Sequence, residues 1–138
     1  MPVHYRPALD VLELAGYLIE APPLPSCVDG KSSPEDDVEL IARRATELVE
    51  AGKDVVAIAH SYGGMVASAA LSGLGLRERR KKGLPGGIKR IIYTAAFVPL
   101  PGTSLEKMAP TDSVGWLKYE VRTTLLSLQV VWTYTVSG

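Results

Sequence analysis

Residues 54–64 read DVVAIAHSYGG and give the clearest indication of fold in the chain. After Asp54, the run to Ala59 is apolar and rich in β-branched residues without polar alternation, a pattern typical of a parallel strand covered on both faces. Met65 to Leu74, after the two glycines, is rich in alanine and other small residues, which favours a helix packed closely on a sheet. The stretch therefore predicts a central strand that turns sharply into a helix.

The serine in this stretch has the setting of a nucleophile elbow, with alanine in the first glycine position. Residues 59–63 read AHSYG. Small residues at Ala59, Gly63 and Gly64 fit such a turn because it brings the strand and helix backbones close together while the hydroxyl of Ser61 projects outwards. We therefore predict a strained backbone at Ser61, a hydroxyl open to a cleft, and a catalytic role as nucleophile.

The neighbours of the serine have different expected roles. The backbone N–H of Tyr62, next to the N-terminus of the predicted helix, is a candidate donor to an oxyanion. His60 is adjacent to Ser61 and should point away from it, which favours a structural or solvated role, with a pocket-lining role as the alternative. An ordinary Ser-Gly turn and a glycine-rich phosphate cradle are the alternatives, but the loop lacks the Lys-Ser/Thr end of a P-loop and the spaced glycines of a dinucleotide fingerprint.

Upstream of the strand, a helix, a strand, a loop and a second helix are predicted. Apolar spacing indicates a helix over 7–15 and a short strand at 17–19, and three prolines make 22–33 a predicted loop. The residues SPED at 33–36 supply an N-cap, a proline at the first helical position and an acidic residue three positions past the cap. They predict a helix that runs to Gly52, where glycine suits the C-terminal stop.

Downstream, residues 88–94 repeat the buried-strand pattern after a polar connector. The connector contains the basic run 77–82, which we interpret as solvated because no aromatic residues are interleaved with it. Strands and helices thus alternate from residue 17 to residue 94. This order predicts an α/β fold in three layers, α/β/α, around a short parallel sheet.

Composition excludes several classes of protein. The chain has 138 residues, the size of one domain, so we predict a single domain over 1–138 with its core at 7–98 and an uncertain segment at 99–138. Fifteen Lys and Arg balance fifteen Asp and Glu, which argues against nucleic-acid and membrane partners. A single cysteine, no leader peptide and no membrane-spanning run lead us to expect a cytoplasmic protein with a small-molecule substrate.

The motifs at Val55–Gly64 and Ile91–Pro99 resemble those of the α/β-hydrolase superfamily, in the branch that contains small esterases and hydroxynitrile lyases. The resemblance extends less strictly over Tyr5–Gly16 and Glu35–Ala51, and it covers most of residues 4–120. It implies an incomplete α/β-hydrolase fold and carboxylesterase-like hydrolysis of a small ester or related carbonyl compound. It also implies that no cofactor or metal is needed, since an activated serine performs the chemistry.

Two parts of the family's catalytic machinery have no counterpart in this sequence. Family members have a strand and a His-Gly oxyanion loop before the first helix, whereas only six residues precede Pro7. The family places its acid and then its histidine after the serine. Here His4 and His60 both precede Ser61, and Asp112, the one aspartate after it, fits a loop residue. We therefore expect impaired turnover, and the alternative hypothesis is a non-catalytic remnant or binding module that retains the elbow.

The resemblance also predicts a gap in the sheet. The family's strand before the first helix lies between the strands that correspond to Tyr17–Ala21 and Val55–Ala59. Either these two strands pair directly, or another segment such as Leu125–Val136 fills the position, because buried unpaired backbone groups are costly. We expect a core of about three parallel strands with open edges through which the protein self-associates.

Overall fold

The computed structural model describes residues 5–108 and 130–134, and the alternation of strands and helices predicted from the sequence is present there. The strands are β1 (Leu18–Glu20), β2 (Asp54–His60), β3 (Gly87–Thr94) and β4 (Val130–Tyr134). The helices are α1 (Arg6–Leu14), α2 (Pro25–Asp29), α3 (Pro34–Glu50), α4 (Gly63–Ala70), α5 (Leu76–Lys81) and α6 (Leu105–Met108). None of the helices found in this part of the chain is long and apolar enough to cross a bilayer.

The strands form a four-stranded sheet in the order β1-β4-β2-β3. β2 and β3 are parallel, and their pairing runs from Asp54 with Gly87 to His60 with Thr94. The prediction of a short parallel sheet is therefore confirmed for these two strands. The carboxyl ends of β2 and β3 lie side by side, which brings the turn after His60 next to the segment that follows Thr94.

The position between β1 and β2 is occupied by β4. This strand is antiparallel to both neighbours, and it pairs with Leu18–Glu20 on one side and with Val55–Ala59 on the other. Of the two arrangements considered for the gap, the second is present, because the filling strand comes from residues 125–136. β1, β2 and β3 run in the same direction, as expected of a core of about three parallel strands, but a reversed strand separates β1 from β2, so only β2 and β3 pair in parallel. Antiparallel pairing on both sides gives partners to the backbone groups of β1 and β2.

The main core lies between the sheet and one layer of helices. α3 and α4 pack against each other and against β2, whose residues Val55, Ala57 and Ala59 are fully buried. Ile41 and Val49 of α3 are fully buried in the same cluster. Burial of an aliphatic side chain of this size contributes about 1.5–3 kcal/mol relative to exposure. The apolar stripe of α3 and the alternate residues of β2 therefore fix the orientation of the helix on the sheet.

α1 supplies the layer on the other face of the sheet. It contacts β1, and the hydroxyl of Tyr5, at its N-terminus, shares a hydrogen bond of 2.5 Å with Nδ1 of His60. Side chains alternate along a strand, so His60 projects from the face of β2 opposite to Ala59. With α3 and α4 on one face and α1 on the other, the three-layer α/β/α prediction is confirmed.

The N-terminus of α3 has the predicted capping box. The side chain of Ser33 accepts a hydrogen bond from the backbone N–H of Asp36, and the carboxylate of Asp36 accepts one from the backbone N–H of Ser33. Pro34 occupies the first helical position, and Gly52 lies just after the helix with a φ of +79°. Both predicted ends of this helix are confirmed.

Substitution of the capping serine should have a modest, local effect on stability. We expect Ser33→Ala to lower the free energy of unfolding by about 1 kcal/mol, because one N–H of the first turn of α3 loses its acceptor. Urea unfolding followed by circular dichroism measures the change. Ser72→Ala, at an exposed serine outside the helices, is the control and should change stability by less than about 0.5 kcal/mol. Equal losses in the two variants would contradict the capping role.

The predicted loop at 22–33 contains a short helix, α2. Pro25 lies at its first position and Gly30, with a φ of +61°, ends it. Proline is compatible with the first helical turn because N–H groups in that turn have no acceptor within the helix, so the missing N–H costs no hydrogen bond. The three prolines were interpreted as breakers, and that interpretation is wrong for Pro25–Asp29.

The basic run 77–82 is also helical in large part, and one of its side chains is buried. Arg79 of α5 is only 7% exposed. Its guanidinium donates to the backbone carbonyls of Pro85 and Gly86 at 3.0–3.2 Å. The interpretation of the run as solvated is wrong for this residue. Arg79 satisfies the carbonyls of the tight turn that leads into β3.

The buried-strand pattern of residues 88–94 overestimated the burial of β3. Only Gly87 and Ile88 are buried, whereas Ile92 and Tyr93 are 46% and 37% exposed. β3 pairs with β2 on one side, and among the described residues no strand pairs with its other side. The apolar run therefore predicted the strand correctly. The burial of its side chains depends on which elements pack against the strand.

Candidate active site

The turn between β2 and α4 has the geometry predicted for an elbow. β2 ends at His60, α4 begins at Gly63, and Ser61 has a φ of +53°. Positive φ is uncommon for a residue with a side chain, and such strain persists only where the surroundings impose it. The backbone at Ser61 is therefore strained, as the sequence predicted.

Hydrogen bonds from the segment after β3 hold this strained turn. The N–H of Ser61 donates to the carbonyl of Ala95 at 3.2 Å, and the N–H of Phe97 donates to the carbonyl of Ser61 at 3.0 Å. Ala95 has a positive φ of +43°, the second such non-glycine residue in the described chain. The first of these hydrogen bonds joins the two strained residues directly, and the second holds Ser61 from its carbonyl side.

The small residues around Ser61 are explained by the close approach of this segment. A Cβ added to Gly64 would lie 2.3 Å from the carbonyl oxygen of Phe97 and 2.9 Å from the Cβ of Ala96. Gly63 and Gly64 are buried, and Ala59 is fully buried. The steric reason given for these positions is therefore supported most directly at Gly64, where any side chain meets backbone.

The hydroxyl of Ser61 has no hydrogen-bonding side chain among residues 5–108 and 130–134. Ser61 itself is half-buried. The neighbouring His60 is bound to Tyr5, and the two rings lie 5.5 Å apart at their centroids in an edge-on arrangement. His60 therefore has a structural contact with α1, while His4 and Asp112 lie outside the described residues.

The backbone N–H of Tyr62 is available to a ligand. It donates to no acceptor within the described part of the chain, whereas the N–H groups of Ser61 and Gly64 each do. Tyr62 immediately precedes α4, so its N–H lies at the positive end of the helix. This is the arrangement that stabilises a developing oxyanion.

The side chain of Tyr62 belongs to a buried polar cluster that the sequence analysis missed. Its hydroxyl donates to Oδ2 of Asp37 at 3.0 Å. Asp37 is fully buried, and it also accepts the N–H of Ser26 at 2.9 Å and the hydroxyl of Ser26 at 2.5 Å. Burial and, next, the adjacent carboxylate raise the pKa of Tyr62 above its ordinary value, so the phenol stays protonated and donates.

A signal for this cluster was present in the sequence. Asp37 lies four residues before Ile41 and eight before Ala45, on the same face of α3. It therefore belongs to the stripe that packs on the sheet. We assigned no individual role to this carboxylate from the sequence, but its position on an apolar stripe predicts a buried, hydrogen-bonded group.

A cleft of about 490 Å³ opens beside the turn. Tyr62 lines it from the turn, Met65 and Val66 line it from α4, Val38 lines it from α3, and residues 99–103 close one side. Ser61 is not among the residues that line this cleft. The cleft next to the serine thus begins at the following residue, and its walls are mainly apolar.

Proteins with an α/β-hydrolase fold are defined by a strained serine at a strand-to-helix turn in a three-layer α/β/α arrangement. This chain has both, and the backbone N–H after the serine has no acceptor among the described residues. The family model described as "Alpha/beta hydrolase family" matches residues 3–134. The chain belongs to the alpha/beta hydrolase family.

Two fungal proteins are similar to this chain. "Alpha/beta hydrolase nvfD" from Aspergillus novofumigatus is 34% identical over 109 residues, which cover 75% of this chain and 42% of that protein. "Probable hydrolase R7" from a Phoma species is 30% identical over 86 residues, which cover 62% of this chain and 30% of that protein. The chain therefore matches less than half the length of either relative. No solved structure gives a significant match.

Proposed function

We propose that the protein is a serine hydrolase that cleaves a small carboxylic ester or related carbonyl compound, with Ser61 as the nucleophile. The observation that carries the proposal is the φ of +53° at Ser61, at the junction of β2 and α4. Strain of this kind at a serine between a strand and a helix is characteristic of an elbow that presents the hydroxyl to substrate. The names of the two relatives as hydrolases also support it.

The proposed reaction is acyl transfer through a covalent intermediate. Oγ of Ser61 attacks the carbonyl carbon of the ester, and its proton passes to solvent water, since no described side chain accepts a hydrogen bond from Ser61. The N–H of Tyr62 donates to the oxygen that becomes negatively charged. Collapse of the tetrahedral intermediate expels the alcohol with a proton, and water then attacks the acyl-serine to release the acid. The reaction requires no cofactor.

We further propose that turnover by this 138-residue chain is weak. No described side chain accepts a hydrogen bond from Ser61, and His60 is bound to Tyr5 instead. General-base catalysis contributes typically about 10²–10⁴-fold. A serine without this assistance is a weak nucleophile, so it hydrolyses an ordinary ester slowly and reacts with an activated electrophile only over long incubation.

The proposal predicts covalent labelling of Ser61 by an alkyl fluorophosphonate, which mimics the tetrahedral intermediate. Mass spectrometry of the intact chain and its peptides should find one adduct, on Ser61. Ser61→Ala should remove the adduct, because no other serine occupies the elbow. Ser72→Ala, at an exposed serine that lines the adjacent cleft but lies outside the elbow, is the control and should label as the native chain does. An adduct that persists in Ser61→Ala would contradict the proposal.

A short-chain p-nitrophenyl ester tests the claim of weak turnover. Hydrolysis should depend on Ser61 and should be slower than that of an esterase whose serine has a histidine base by about 10²-fold or more. If the chain hydrolyses the ester as fast as such an esterase and Ser61→Ala abolishes the activity, turnover is not impaired, although Ser61 is still the nucleophile.

The second candidate is a non-catalytic binding module that retains the elbow, and the unassisted hydroxyl of Ser61 favours it. This candidate predicts that the fluorophosphonate does not label Ser61 even at long incubation. It also predicts that a small apolar ester perturbs the amide resonances of Tyr62 and Met65, which line the cleft. Labelling at Ser61 would exclude it.

A further inference from the structure

The buried carboxylate of Asp37 connects three elements that surround the turn. It lies on α3 and is fully buried. One oxygen accepts the N–H of Ser26 at the start of α2, and the other accepts both the hydroxyl of Ser26 and the hydroxyl of Tyr62. Every hydrogen bond that it accepts comes from outside α3, so Asp37 helps to position both Ser26 and Tyr62.

The bond to Tyr62 has a direct geometric consequence for the turn. Tyr62 follows Ser61, and its backbone N–H is the proposed oxyanion donor. A side chain fixed at its far end restricts rotation about the backbone that carries it, and with it the direction of the N–H. α3 is a firm support for this contact because it has 17 residues, a capping box and a fully buried apolar stripe.

We propose that Asp37 is a positioning residue that fixes the direction of the Tyr62 backbone N–H by accepting the hydroxyl of the same tyrosine. The inference rests on the proposed function, since it concerns the oxyanion donor of that reaction. It assigns a second role to a residue that also joins α2 to α3. The first role stabilises the fold, whereas the second orders the turn.

The two roles are separable because Asp37 accepts different groups for each. Substitution of Asp37 itself leaves buried donors of Ser26 and Tyr62 without an acceptor, and the variant then risks failing to fold. Tyr62→Phe removes only the bond to the turn and keeps the ring. Ser26→Ala removes a hydroxyl that bonds the same carboxylate and lies beside the phenol of Tyr62. It keeps the bond from Tyr62 to Asp37, which makes it the matched control.

The kinetic test follows phosphonylation of Ser61 by the fluorophosphonate at increasing probe concentration. Tyr62→Phe should lower the maximal rate about tenfold with little change in the half-saturating concentration, because a misplaced donor affects the transition state more than binding. Ser26→Ala should keep the native maximal rate within about twofold even where its melting temperature falls. Equal maximal rates in the native chain and Tyr62→Phe would overturn the inference.

Amide hydrogen exchange tests the positioning independently of chemistry. The N–H of Gly64 donates to the carbonyl of Ser61 and the N–H of Met65 to that of Tyr62, at 3.1 and 2.9 Å. Both amides should exchange faster in Tyr62→Phe and at the native rate in Ser26→Ala. If the native chain is not labelled at Ser61, the proposed function is wrong. The exchange rates still test whether Asp37 positions the turn through Tyr62. Unchanged exchange at both amides in Tyr62→Phe would overturn it.

Discussion

Replacement of Gly64 by alanine is expected to lower the free energy of unfolding by about 3 kcal/mol, through overpacking against backbone. The added Cβ would lie 2.3 Å from the carbonyl oxygen of Phe97. Alanine is otherwise favoured over glycine inside a helix by about 1 kcal/mol, so α4 by itself would become more stable. The loss is expected because residues 95–97 must move, and they carry the hydrogen bonds that fix Ser61.

Chemical denaturation measures this loss, and fluorophosphonate labelling measures its effect on the turn. We expect Gly64→Ala to lose most of the labelling at Ser61 together with stability. Gly73→Ala is the control, because Gly73 has a φ of +78° but nothing within 4 Å of an added Cβ. It should lose about 1 kcal/mol from backbone strain alone. If Gly64→Ala is as stable as the native chain, residues 95–97 can move away from the added Cβ without loss of stability, and the prediction is wrong.

Replacement of Thr133 by proline should destabilise the protein by at least about 3 kcal/mol, since proline has no N–H and breaks a sheet ladder. Thr133 lies inside β4 and pairs with Ile19 on one side and with Val56 on the other. A strand with a partner on each side has no free backbone edge, so the missing donor also leaves an acceptor unpaired. The expected loss is a large part of the stability of a typical domain.

Thermal unfolding and size-exclusion chromatography measure the outcome for β4. Thr133→Pro should unfold at a much lower temperature and associate, because β1 and β2 then expose unpaired edges. Thr133→Val retains the N–H and the branched side chain and should change stability little. If Thr133→Pro unfolds as the native chain does, β4 does not hold β1 and β2 together.

Much of the fold was predictable from local patterns along the chain. The bounds of α1 and α3, the strands β2 and β3 and the turn at Ser61 follow from apolar spacing, capping residues and small residues in a fixed order. Such signals act over a few residues, because a helix cap or a tight turn is satisfied by its immediate neighbours. The same holds for Pro25, whose position at the start of α2 was a local signal that we misinterpreted.

The candidate site was predictable in part. The position and strain of Ser61 and the small residues beside it were expected, whereas its environment was not. Tyr62 reaches Asp37, 25 residues earlier in the chain, and His60 reaches Tyr5, 55 residues earlier. Neither distance nor direction between such residues is encoded in the local pattern, since both depend on how α1, α3 and α4 pack on the sheet.

Local pattern thus established which segments of this protein form strands and helices, and where the backbone must be strained. The packed structure decided which side chains became partners: the three hydrogen bonds to Asp37, the burial of Arg79 and the reversed direction of β4 between β1 and β2. The physical reason is that secondary structure is set by interactions over a few residues. A buried polar group or an unpaired strand edge is instead satisfied by whichever group the fold brings to it.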